Sequence, residues 1–82
     1  IKPMALRSST HILSSPVETA TDLGRLLRRR RKELGLLQAD VAMQSGISPA
    51  TLSAIENGKE TAQIGIVFKL AADLGIKIRC DL

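Results

Sequence analysis

The chain has 82 residues, a net charge of +4 and one Phe as its sole aromatic residue, which points to one small domain with an aliphatic core of limited size. One cysteine, Cys80, and one histidine, His11, give no basis for a disulfide framework, a metal-ligand set or His-based catalysis. No apolar run reaches membrane-spanning length and no signal-peptide-like start is present, so the expectation is a cytoplasmic, non-enzymatic chain with no cofactor, no metal and no membrane association.

The charge is concentrated. Residues 22–34 carry six Lys/Arg (Arg25, Arg28, Arg29, Arg30, Arg31, Lys32) against Asp22 and Glu33, an excess equal to the +4 of the whole chain. Such a block favours a polyanionic partner, nucleic acid before anionic membrane.

In chain order, residues 1–18 have mixed polarity and no sustained period. They read as an extended or flexible arm in which His11-Ile12-Leu13 is suited to pair as a short strand. A first helix is predicted over 20–34. Thr19 with Asp22 three residues later resembles a capping box, with Ser15-Pro16 and Glu18 as an alternative start. Leu23, Leu26, Leu27 and Leu34 share a face; Arg30 falls on it too, with its stem expected on the core edge and its head in water. Gly35 is placed to stop the helix. A second helix over 38–45 turns Val41 and Ala42 inward, and Gly46-Ile47 makes the turn. Ser48 as N-cap and Pro49 as first helical residue start a third helix that runs to 56, with Leu52 and Ile55 inward and Asn57-Gly58 at its end. A fourth, over 64–74, is expected to bury Ile64, Val67, Phe68, Ala71 and Leu74 before Gly75. From Ile76 to the end, apolar and polar residues alternate, which predicts a strand with Ile76, Ile78, Cys80 and Leu82 on one face. A lone strand leaves its backbone unpaired, so its expected partner is the same strand of a second copy in an isologous dimer. Cys80 then reads as a small apolar residue of the buried strand face rather than a redox switch.

The second and third helices meet the spacing of a helix-turn-helix. Counting Gln38 as the first position, the small Ala42 is fifth, where the helices cross. Gly46 is ninth, where the turn needs positive φ. Leu52 and Ile55, fifteenth and eighteenth, lock the third helix onto the core. The expected fold is therefore mainly α: a four-helix helix-turn-helix bundle, which resembles lambda-repressor-like domains, with a C-terminal strand that pairs in a dimer. Residues 1–18 would be the arm, 19–76 the DNA-binding domain and 77–82 the dimerisation strand.

The words GLLQADVA, SGIS and IENGK within residues 19–76 resemble the Cro/C1-type (XRE) helix-turn-helix family. The resemblance implies sequence-specific DNA binding. It makes Gln38 a phosphate contact, gives Asn57 and Lys59 a backbone N–H and an ammonium for the sugar-phosphate chain, and pairs Arg31 with Glu56 as a structural ion pair. The family places long polar base readers at the first exposed positions of the third helix, where this chain has Pro49 and Ala50. Ser48, Thr51 and Ser53 remain as short hydrogen-bonding groups, with Ala50 as a methyl for a thymine. Arg28 and Arg29 are candidates for flanking phosphates, whereas Lys32 and Arg25 suit a solvated face. With few base contacts, specificity is expected to lean on DNA shape.

Within the family, PATLSAIEN and the short ending IRCDL in place of a fifth helix resemble HipB-type antitoxins. That resemblance implies a homodimeric repressor of a type II toxin–antitoxin system, which binds a palindromic operator and a HipA-like kinase toxin. The alternatives are a stand-alone XRE-type regulator without a toxin, and a basic protein-interaction module.

Overall fold

The computed structural model describes residues 14–82; the proposed His11-Ile12-Leu13 strand and most of the arm lie outside the described residues. Four helices follow one another: α1 (Ala20–Glu33), α2 (Gln38–Ser45), α3 (Pro49–Glu56) and α4 (Ile64–Asp73). Each begins and ends where its local chemistry directs. At α1, the Thr19 hydroxyl accepts the Asp22 N–H at 3.0 Å, and the Asp22 carboxylate accepts the N–H of Glu18 at 3.1 Å. The Glu18 hydrogen bond holds the Asp22 carboxyl below its ordinary pKa. The upstream start at Ser15-Pro16 is not used. At α2, Asp40 Oδ2 accepts the Leu37 N–H at 3.0 Å, one half of a capping box.

Every helix stops at a glycine with positive φ, namely Gly35, Gly46, Gly58 and Gly75. At Gly46 the turn is closed by Ile47 N–H donating to the Ala42 carbonyl at 3.0 Å and Gly46 N–H to the Met43 carbonyl at 3.3 Å, the paired bonds of a Schellman stop. A Cβ at φ 73° would be strained there, which is why the ninth position of the motif is glycine.

Leu27, Val41, Ala42, Leu52, Ile55, Leu70, Ala71 and Leu74 form the buried core. Ala42 is fully buried, in keeping with its place at the α2–α3 crossing. Three apolar expectations are corrected. Leu34 follows the end of α1 and is exposed, and on α4 Ile64 and Phe68 face outward at 71% and 51% relative exposure, while Leu70 fills the core. The inward stripe is Leu70, Ala71 and Leu74 with the half-buried Val67, whose spacing fits a helix as well as the expected one; it is selected by packing against α2. Arg30 makes a contact that its place on the helix face does not announce: its side chain remains 31% exposed, and Nε donates to the Leu74 carbonyl at 2.9 Å. A cation thus sits at the negative end of α4. Ser45 ties α2 to α4, with Oγ donating to Asp73 at 2.9 Å and its carbonyl accepting from Lys69 at 3.3 Å.

Among the described residues no strand forms. Residues 76–82 have no regular secondary structure, Ile76 packs against the core and Ile78, Cys80 and Leu82 are exposed. A strand is defined by ladder hydrogen bonds to a neighbour, and the single chain offers these residues none. Among the described residues, too, no helix is long and apolar enough to cross a membrane.

Candidate nucleic-acid interface

Helix α3 is anchored on its inner side by Leu52 and Ile55 and leaves Ala50 and Thr51 exposed. Ser48 sets its start: Oγ accepts the Thr51 N–H at 3.0 Å, and the Ser48 and Thr51 hydroxyls lie 2.9 Å apart in a hydrogen bond. The two short polar groups at the front of the helix are therefore held as a unit. Ser53 is half-buried. Its carbonyl accepts both the Asn57 backbone N–H at 3.0 Å and the Asn57 side-chain amide at 2.9 Å. In the free chain the Asn57 backbone N–H is thus already engaged, and its amide nitrogen also lies 3.5 Å from Ser53 Oγ. Lys59 is exposed immediately after this stop.

The inner end of the interface is held by charge. Arg31 Nε donates to Glu56 Oε2 at 2.7 Å and its second terminal nitrogen to Oε1 at 3.1 Å. The remaining terminal nitrogen of Arg31 donates to the Leu36 carbonyl at 2.8 Å. The side chains are only 8% and 2% exposed, a bidentate pair with its further donors satisfied, the geometry a buried ion pair needs. Gln38 joins the same carboxylate, its amide donating to Glu56 Oε1 at 2.9 Å. One carboxylate on α3 thus fixes α1, the α1–α2 turn and the first residue of α2.

The basic face of α1 divides. Arg25, Arg28, Arg29 and Lys32 are exposed, whereas Arg30 and Arg31 are committed to structure. Arg29 contacts Ser15 Oγ at 3.3 Å and lies 4.0 Å from Glu33. Beside α3 lies a groove of about 490 Å3 lined by Ala50, Thr51 and Ala54 of α3 and by Lys59, Thr61 and Gln63 of the segment that follows it. Among the described residues no three His, Cys, Asp or Glu side chains come together as a metal-ligand set.

The sequence reading did not single out Gly24, whose helix edge is pressed against the end of α3. The signal was present, since a glycine inside a helical pattern costs stability unless a close contact requires it. It also left Gln63 and Thr61 without a role.

Two helices joined by a glycine turn, the second carrying an outward face of small polar groups and methyls, with cations on flanking elements, define a helix-turn-helix DNA-binding protein. The chain belongs to the XRE-type helix-turn-helix family: the HTH_3 family model, described as Helix-turn-helix, matches residues 27–79. It is a DNA-binding transcriptional regulator, of a family that acts by binding rather than by catalysis. An uncharacterized HTH-type transcriptional regulator, y4mF, of Sinorhizobium fredii is 36% identical over 66 residues, covering 80% of this chain and 87% of the relative. A second such regulator, from Methanothermobacter thermautotrophicus, is 36% identical over 50 residues, covering 61% of this chain and 72% of its own. Among solved structures, a HipB serine-to-alanine variant in an O2 20mer complex superposes with a TM-score of 0.76 at 27% identity, over 84% of this chain and 97% of that one. HipB in a HipA–HipB–O2–O3 complex gives 0.75 at 26%, over 83% and 97%.

Proposed function

We propose that the chain is a HipB-like antitoxin: a homodimer that represses by binding a palindromic operator through two copies of α3 and that binds a HipA-like kinase toxin. The observation that carries this reading is the likeness to HipB, which extends over nearly the whole of the HipB chain and includes a structure in which HipB is in complex with HipA. The alternating tail, with Ile76, Ile78, Cys80 and Leu82 on one side, supports pairing across a dimer. So do the exposed Ile64 and Phe68, apolar surface that a second copy would cover. The division into an arm (1–18), a DNA-binding domain (19–76) and a dimerisation strand (77–82) belongs to the same proposal.

In this reading Ser48, Ala50, Thr51 and Ser53 face the base edges. Gln38, Asn57 and Lys59 hold the sugar-phosphate chain, and Arg28 and Arg29 flank it. Gln38 is pre-positioned by Glu56, and Ser48 with Thr51 by their mutual hydrogen bond. Half-sites about one helical turn apart follow from two-fold symmetry.

Removing residues 77–82 is expected to convert dimer to monomer in sedimentation at micromolar concentration. Operator affinity should fall by about 100-fold or more, because the second half-site is no longer tethered to the first. A truncated chain that stays dimeric would discard the strand as the main interface. Co-expression with a HipA-like kinase encoded beside the gene is expected to give a stable complex; with no such gene or complex, the stand-alone regulator takes its place.

Lys59→Ala and Thr51→Ala separate positioning from reading. Loss of the Lys59 ammonium should weaken all duplexes alike and flatten the slope of log affinity against log salt by about 0.9 per lost contact. Loss of the Thr51 hydroxyl should chiefly reduce discrimination between operator and scrambled DNA. An unchanged ratio would remove Thr51 from the reading face.

A further inference from the structure

We propose that Gln63 supplies the long polar base reader that α3 lacks, reaching a base edge from the α3–α4 turn across the groove beside α3. This rests on the DNA-binding role of α3. Ala50, Thr51 and Ala54 line that groove from α3 and are all short. A base pair seated against them is left with methyls and one hydroxyl, and the Thr51 hydroxyl is already tied to Ser48. Lys59, Thr61 and Gln63, from the segment between α3 and α4, line it as well. Lys59 suits a phosphate; Gln63 is the long side chain with both a donor and an acceptor at its tip.

The backbone of Gln63 is fixed, and among the described residues its side chain has no hydrogen-bond partner. Its carbonyl accepts the N–H groups of Ile66 at 3.1 Å and Val67 at 3.2 Å, which makes it the first anchor of α4. Its side chain makes no cap hydrogen bond, and the residue is exposed. A rigid base with an uncommitted amide is what a reader of sequence requires. The amide pairs with the N7 acceptor and N6 donor of adenine in the major groove, a pattern that no phosphate or sugar presents.

The test is selection from a randomised duplex pool with the full-length wild-type chain, Gln63→Ala and Gln63→Glu, followed by affinities for the selected duplex and a scrambled one across a salt series. The wild type is expected to select an adenine beside each half-site core, and Gln63→Ala to lose that preference. Its affinity for the selected duplex should fall about 5- to 100-fold, with affinity for the scrambled duplex, salt slope and melting temperature unchanged. Gln63→Glu should shift the preference at that position to cytosine, whose N4 donates to a carboxylate. Equal weakening on both duplexes would make Gln63 a backbone contact and overturn the proposal, as would an unaltered consensus in both variants. A wild type that selects no consensus would overturn sequence-specific recognition itself, a different outcome from a consensus indifferent to Gln63.

Discussion

Glu56→Ala is expected to destabilise the domain by about 3–5 kcal/mol, enough to consume much of the roughly 5–15 kcal/mol that holds a small domain together. The size follows from what the carboxylate does. It accepts two hydrogen bonds from a nearly buried guanidinium and one from Gln38. With the carboxylate gone, Arg31 keeps its charge inside the protein with only the Leu36 carbonyl as a partner. Water cannot easily replace Glu56, because the end of α3 lies against α1 there. The double variant Arg31→Met, Glu56→Leu should recover most of the loss, since it removes both charges and fills the space with apolar volume. Urea unfolding of the two variants decides the matter. A single variant within 1 kcal/mol of wild type, or a double variant worse than the single, would mean that the pair is not what joins α1 to α3.

The elements that could be read from the sequence are those whose cause is local. Ser48-Pro49 and Thr19 start helices through their own side chains, and the four terminating glycines act through φ. The spacing of Ala42, Gly46, Leu52 and Ile55 therefore located α2, their turn and α3 before any packing was considered. The rotation of α4 was not local. Ile64, Ile66, Val67, Phe68 and Leu70 offer apolar groups on most of its circumference, so two stripes satisfy helical spacing and only contact with the rest of the core chooses between them. The Arg30 bond to the Leu74 carbonyl spans 44 positions, and no pattern within α1 announces it. The tail marks a different limit: alternation states which residues would share a face, but the partner that makes a strand lies beyond the single chain. At the interface, the plainness of α3 is legible in its own residues, whereas the contribution of Thr61 and Gln63 to the groove beside it depends on how the following segment folds back.

Gly24→Ala carries the second large effect, and its direction runs against helix propensity. In an exposed helix the change would add stability, about 1 kcal/mol by propensity alone. At Gly24 the new Cβ would meet the Ile55 carbonyl oxygen, the Glu56 carbonyl oxygen at 2.7 Å and the Glu56 carbonyl carbon at 2.9 Å. These are backbone atoms of α3, so they cannot swing aside, and α1 must move away as a unit. One turn earlier on α1, Thr21 lies against Gly58, where a Cβ would come within 2.6 Å of the Thr21 hydroxyl. The chain thus places a glycine on each side of a single close helix contact. Overpacking of this kind costs about 1–3 kcal/mol or more, and a shift of α1 would also stretch the Arg31–Glu56 pair two turns further along. Gly65→Ala is the internal comparison: it lies in α4 with nothing within 4 Å of the added carbon and should stabilise by about 0.4–1 kcal/mol. Melting the two variants side by side should therefore give shifts of opposite sign. If Gly24→Ala melts above wild type as Gly65→Ala does, the close approach of α1 to α3 is not what requires the glycine.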